Sequence, residues 1–96
     1  MGDTMSVSKI GVLGAGQMGS WIAQVSLISG LQVVLNDVSD AVLARSRAGI
    51  GKRLDILVRK EKITAQEKER ALSGLQTTTD LAGFASCDFV VEAATE

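Results

Sequence analysis

The feature that most constrains the fold is a glycine-rich turn near the N-terminus, Gly14-Ala15-Gly16-Gln17-Met18-Gly19. Its glycines have the spacing G-x-G-x-x-G, and the apolar run at residues 10–13 before it has the length of a buried parallel strand. Glycine lets the chain leave such a strand sharply, lets a pyrophosphate approach the backbone, and lets the next helix pack closely on the strand. The start of that helix directs unbonded N–H groups and its positive dipole end toward the same pyrophosphate.

An acidic residue follows the next predicted strand. Residues 31–35 form the apolar run, and Asp37 stands about twenty residues after the glycine turn, where dinucleotide sites place an acceptor for the adenosine ribose hydroxyls. A carboxylate there would also repel a 2′-phosphate, so the pattern predicts NAD rather than NADP. The alternative is that Asn36 and Asp37 simply end the strand in a turn.

Length and composition limit the classes of protein to which the chain can belong. The 96 residues make at most one small domain, and the net charge of −1, from ten basic and eleven acidic residues, predicts no nucleic-acid partner. We expect no membrane span, because no apolar stretch approaches the length a bilayer requires. The absence of histidine excludes the usual metal sites and histidine acid–base catalysis within this chain.

The N-terminal residues and the single cysteine give two further expectations. Residues 1–8 are small and polar and are expected to be a disordered lead-in rather than a signal peptide. Cys87 cannot form an internal disulfide, which fits a reducing compartment such as the cytoplasm, and is expected to be a small buried side chain beside the fourth strand.

The remaining segments predict a parallel α/β sheet. Gly30 is placed to follow the first helix, at about residues 17–29; Ser39 is placed to cap a helix over residues 40–60; and Thr64 with Glu67 forms a capping box. A helix from about residue 65 to before Gly74, a strand at 75–79, a helical turn at 80–85 and a strand at 88–92 complete the chain. Right-handed crossovers in this β-α-β-α-α-β-β order give the strand order 3-2-1-4, which is the first mononucleotide-binding half of a Rossmann-type fold.

Two features of the helices remain open to more than one interpretation. The long helix has a basic face, which is either simply solvated or binds the phosphates of an anionic substrate; its members are Arg45, Lys52, Arg53, Arg59 and Lys60. Trp21, in the first turns of the first helix, is expected to pack in or partly against the core, or else to lie near a bound cofactor.

The segments KIGVLGAGQMGS, VVLNDVS, KIT, TTTDL and VVEAATE together resemble the N-terminal part of the 3-hydroxyacyl-CoA dehydrogenases, and most closely the bacterial 3-hydroxybutyryl-CoA dehydrogenases. The resemblance covers residues 9–96. It implies an acyl-CoA substrate, NAD as cofactor and a place in fatty acid metabolism or β-oxidation. It also implies a set of NAD contacts: Gly14, Ala15, Gly16, Gln17, Met18, Gly19, Asp37, Ala93 and Glu96.

The resemblance further implies that the CoA phosphates contact the long helix. Lys60 matches a lysine that serves this purpose in the family, and Arg53 stands where some members have a serine that helps hold CoA. A guanidinium can bind a phosphate at least as well as a hydroxyl can.

The resemblance also implies parts that residues 1–96 do not contain. The family's catalytic His–Glu pair, its substrate-orienting Ser and Asn, and the helical domain that forms the homodimer correspond to positions beyond Glu96. We therefore expect the chain to be part of a longer enzyme and to be inactive alone. We also expect it either to self-associate through its apolar last strand or to be marginally stable. One alternative is a non-catalytic NAD-binding or structural relative. The related 3-hydroxyisobutyrate and phosphogluconate-type dehydrogenases commonly have an arginine after strand two, and Asp37 counts against them.

Overall fold

The computed structural model describes residues 8–93. The elements run in the order β1 (Lys9–Leu13), α1 (Gln17–Ile28), β2 (Gln32–Asn36), α2 (Asp40–Arg59), α3 (Ala65–Ser73), β3 (Leu75–Thr78), a 3₁₀ helix (Leu81–Ser86) and β4 (Phe89–Glu92). The four strands form one parallel sheet in the order β3-β2-β1-β4. The predicted fold class and strand order are therefore confirmed.

The core lies between the sheet and the three α-helices. Alternate residues of β1 and β2 face the helices, as the pleat of a strand requires. They meet apolar side chains of α1, α2 and α3 in one cluster, and its members from the strands and from α2 are Ile10, Val12, Val33, Leu35, Leu75, Leu43, Ile50 and Leu54. The apolar side of α2, with Leu43, Ile50 and Leu54, is thus the face that packs on the sheet.

Local caps fix where the helices begin and end. Ser39 accepts a hydrogen bond from the Val42 amide, and Thr64 and Glu67 form the predicted capping box. Gly30 follows α1 with φ +98°, a conformation that glycine adopts without strain. The predicted boundaries hold to within one or two residues; the predicted turn at 80–85 is a 3₁₀ helix, with Asp80 accepting from the Ala82 amide.

The other face of the sheet is covered only in part. Phe84 of the 3₁₀ helix lies over Gly11 of β1, where an added Cβ would approach the ring to 2.5 Å. On β4, Phe89 and Val90 stay 49% and 44% exposed, and within residues 8–93 the strand pairs only with β1. An exposed apolar edge of this kind favours strand-to-strand association, which stays a prediction for this chain.

The start of β1 is fastened to β4 by one carboxylate. Asp88 accepts hydrogen bonds from the backbone amides of Ser8 and Lys9, at 2.9 and 3.0 Å, and these bonds lower its pKa. Ser8, which the sequence assigned to the lead-in, is therefore held to the sheet, while residues 1–7 lie outside the described part. Cys87 is a free thiol that is partly rather than fully buried, and desolvation raises its pKa. No helix among the described residues is long and apolar enough to cross a membrane.

Candidate functional site

The glycine turn has the geometry that its spacing predicts. Gly14 has φ +106°, which only glycine adopts readily, and its amide donates to the Asn36 carbonyl at 2.8 Å, so the turn is joined to the end of β2. A Cβ added at Gly19 would lie 1.7 Å from the Gly14 carbonyl oxygen. The first turn of α1 therefore packs directly against the end of β1, and only glycine allows that approach.

The N-terminus of α1 offers hydrogen-bond donors without a side-chain acceptor. Gly16 is the N-cap residue, no side chain caps the helix, and the first-turn amides of Gln17, Met18 and Gly19 have no intrahelical partner. A Cβ added at Gly16 would meet no atom within 4 Å. Open space in front of unbonded N–H groups at a positive helix end fits the pyrophosphate of a dinucleotide.

Asp37 performs a structural task that the sequence did not reveal. Its two carboxylate oxygens accept from the Ala15 amide at 2.9 Å and from the Ser39 amide at 3.1 Å, so the side chain joins the glycine turn to the start of α2. Asp37 follows β2 and also lies against the glycine turn, so its position is compatible with both interpretations, and its contact with the cofactor stays a prediction. A carboxylate has about four acceptor positions, which leaves capacity for ribose hydroxyls.

Two grooves meet at the glycine turn. The smaller, of about 390 Å³, is lined by Gly16, Gln17, Met18 and Ala93. Ala93 is brought there because its amide donates to the Leu13 carbonyl at 2.8 Å, extending the pairing of β4 with β1. The structure thus brings together the predicted NAD contacts except Glu96, which lies outside the described residues.

The larger groove, of about 540 Å³, lies between α1 and α2 and contains Arg53 but not Lys60. Lys60 is the C-cap of α2, seven residues beyond Arg53 and therefore about 10 Å along the helix axis. Of the two residues that the resemblance assigned to CoA, Arg53 lines this groove and Lys60 does not, and the CoA contacts stay a prediction. Trp21 lines the same groove and is 56% exposed, so it does not pack in the core, and its place near a bound cofactor stays a prediction.

Side-chain hydrogen bonds join α1 and α2 beneath this groove. The Ser20 and Ser46 hydroxyls are 2.5 Å apart, and Arg53 donates from Nε to the Gln24 side-chain oxygen. Ser20, Gln24 and Ser46 are buried, and sequence reasoning missed them. The signal that could have identified them is that each lies on the apolar side of its helix.

Comparisons with known proteins agree with this geometry. Residues 9–96 match the family described as "3-hydroxyacyl-CoA dehydrogenase, NAD binding domain". The chain is 43% identical over 90 residues to a 3-hydroxybutyryl-CoA dehydrogenase of Bradyrhizobium diazoefficiens, covering 94% of this chain and 31% of that protein. It is 48% identical over 88 residues to a probable 3-hydroxybutyryl-CoA dehydrogenase of Deinococcus radiodurans, covering 92% and 31%.

A solved structure shows the same likeness in three dimensions. The (S)-3-hydroxybutyryl-CoA dehydrogenase PaaH1 of Ralstonia eutropha superposes with a TM-score of 0.90 at 41% identity, over 95% of this chain and 32% of that one. The chain therefore spans about a third of the length of these relatives.

Proposed function

Because this chain belongs to the 3-hydroxyacyl-CoA dehydrogenase family, in which it corresponds to the NAD-binding domain, we propose that it is the NAD-binding part of an enzyme that oxidises (S)-3-hydroxyacyl-CoA to 3-oxoacyl-CoA. Relatives named for 3-hydroxybutyryl-CoA support a short-chain substrate. The cofactor of the family domain is NAD. Fatty acid or related acyl-CoA metabolism, a cytoplasmic location and a homodimer in the full-length protein complete the proposal and rest on the resemblance.

The observation that carries the proposal is the uncapped N-terminus of α1 beside an open glycine turn. The unbonded amides of its first turn would hold the pyrophosphate, and Gly16 leaves the room for that approach. Asp37, fixed by its bonds to Ala15 and Ser39, would accept from the adenosine ribose. Ala93 would border the nicotinamide half of the dinucleotide, because it lines the smaller groove at the end of β4.

The chemistry divides between this chain and residues outside it. NAD, when bound, supplies the acceptor for the hydride that leaves C3 of the substrate. Within this chain the residues bind and orient the dinucleotide, and none of them is a histidine that could take the 3-hydroxyl proton. We assign that proton transfer to the His–Glu pair of the family, at positions beyond Glu96.

A titration combined with a turnover assay tests this division of labour. Trp21, the sole tryptophan, reports binding by its fluorescence, and we expect saturation by NADH. Addition of NAD and (S)-3-hydroxybutyryl-CoA to a separate sample of the chain, without added NADH, should produce no NADH absorbance. Failure to bind NADH would contradict the cofactor site, and turnover by the chain alone would contradict the assignment of proton transfer to residues outside it.

A further inference from the structure

The peptide group that joins Ala15 to Gly16 lies at the entrance to the glycine turn. Its N–H belongs to Gly16, the N-cap residue of α1, and within residues 8–93 that amide donates to no protein acceptor. Gly16 precedes the helix, and glycine permits many backbone conformations, so neither the helix nor a side chain of its own fixes this peptide. A contact with the carbonyl oxygen of the peptide would therefore decide how its N–H is oriented.

A buried serine of α1 holds that carbonyl. The Ser20 hydroxyl donates to the Ala15 carbonyl oxygen at 3.3 Å. In a trans peptide the C=O and N–H bonds point in opposite directions, so a carbonyl directed toward Ser20 turns the Gly16 N–H away from it. A flip of this peptide would put a partly negative oxygen where the N–H now lies, and that oxygen would repel a phosphate. The Ser20 hydroxyl thus selects the orientation that suits an anion.

A second buried serine, on α2, completes the hydrogen-bond chain. The hydroxyl oxygens of Ser46 and Ser20 are 2.5 Å apart, a distance that by itself does not tell donor from acceptor. A hydroxyl has one proton, and Ser20 uses its proton on the Ala15 carbonyl, so Ser46 is the donor. The chain of bonds therefore runs from Ser46 to Ser20 to Ala15. A hydroxyl that accepts a hydrogen bond is also polarised into a better donor.

The other side of Ala15 is connected to α2 as well. Its amide donates to the Asp37 carboxylate at 2.9 Å, and the second oxygen of that carboxylate accepts from the amide of Ser39, the N-cap residue of α2. Ala15 is thus bonded at both of its backbone groups, and both connections lead to α2. The position of α2 consequently determines the shape of the glycine turn.

We propose that Ser20 and Ser46 are positioning residues of the cofactor site, which orient the Gly16 N–H toward the pyrophosphate of the dinucleotide. This inference rests on the proposed function for the identity of the ligand. Ser20 acts through the Ala15 carbonyl, and Ser46 acts through Ser20. The serine pair raises the affinity for the dinucleotide because it fixes the donor before the ligand arrives.

Calorimetric titration of the whole chain with NADH tests the proposal. Ser20→Ala should weaken binding about tenfold, since it frees the Ala15 carbonyl, and Ser46→Ala about threefold, since it leaves the Ser20 hydroxyl in place but free to rotate. The double variant should bind as Ser20→Ala does, because Ser46 has no effect except through Ser20. Thermal melting checks that each variant is folded at the temperature of the titration.

Gln24→Met is the matched control. Gln24 accepts from Arg53 and so forms the other side-chain hydrogen bond between α1 and α2, one helical turn beyond Ser20. Methionine is similar in size to glutamine, and the substitution removes this bond without touching the glycine turn. NADH affinity of the control should therefore stay within twofold of the parent value, even if its melting temperature falls.

The carbonyl-carbon NMR resonance of Ala15 in the free chain provides a readout that packing alone would not move. Ser20→Ala and Ser46→Ala should each shift it, because hydrogen bonding at the oxygen changes, whereas Gln24→Met should not. The proposal is overturned if both serine variants bind NADH within twofold of the parent, if Gln24→Met weakens binding as much as they do, or if the two serine effects add in the double variant. A parent chain that binds no NADH would contradict the proposed function instead, and the Ala15 resonance would then decide whether the serine pair orients the turn.

Discussion

Gly19→Ala is expected to be among the most destabilising single-methyl additions in this chain. The new Cβ would lie 1.7 Å from the Gly14 carbonyl oxygen, a backbone atom that is held in turn by the bond from the Gly14 amide to β2. The clash can therefore be relieved only if α1 moves away from the end of β1. Overpacking commonly costs 1–3 kcal/mol, and a clash with fixed backbone belongs at or above about 3 kcal/mol. That is a large share of the roughly 5–15 kcal/mol that stabilises a typical domain.

Gly51→Ala provides the matched control for this substitution. Gly51 lies inside α2, and an added Cβ there would meet no atom within 4 Å. The same chemical change should therefore stabilise the chain by about 0.5–1 kcal/mol, because alanine favours the helix more than glycine does. Urea unfolding of the three proteins measures both effects. A Gly19→Ala variant as stable as the parent would show that α1 does not pack on the turn as described.

Asp37→Asn is expected to change coenzyme selectivity more than any other single exchange of a charged residue. The amides of Ala15 and Ser39 donate to different oxygens of Asp37, and asparagine replaces one of these oxygens by an NH2 donor, so the loss of one charge-assisted bond costs about 1–3 kcal/mol of stability. It also removes the carboxylate that would repel a 2′-phosphate. The ratio of NADPH to NADH dissociation constants should fall about tenfold or more.

The ratio of the two dissociation constants is the decisive quantity. A loosened turn would weaken the binding of both coenzymes equally and would leave this ratio unchanged. Asp40→Asn is the control: it removes an exposed acid three residues away, in the first turn of α2. It should leave the ratio within twofold of the parent value. Fluorescence titrations of the parent and both variants with NADH and NADPH give the six constants required. An unchanged ratio in Asp37→Asn would restrict Asp37 to its structural role.

Much of the fold can be predicted because it depends on contacts between residues that are close in the sequence. Ser39, the Thr64 capping box and Gly30 satisfy or terminate helix ends through contacts within a few residues, so their spacing alone places α2, α3 and the end of α1. The strand order follows from parallel strands and right-handed crossovers. The turn at Gly14 and Gly19 follows likewise, because its steric requirements are local.

The parts that the sequence did not reveal depend on residues brought together from distant positions. The bond from Arg53 to Gln24 and the contact of Phe84 over Gly11 join segments 29 or more residues apart, and no spacing rule links them. Asp37 was identified as a ligand acceptor, yet its bonds to Ala15 and Ser39 appear only when the turn and β2 are placed in space. That Arg53 lines the larger groove and Lys60 does not likewise depends on where α2 packs against α1.

The most direct test of the central claim is an amide NMR titration of the chain with NADH. The account predicts saturable shifts concentrated at the amides of Gly16, Gln17 and Met18, because these donors have no side-chain acceptor and would bind the pyrophosphate. Ala15, beside Asp37, should follow with the same affinity. If NADH shifts only other parts of the chain, or shifts no amide, the glycine turn of this chain is not its cofactor site.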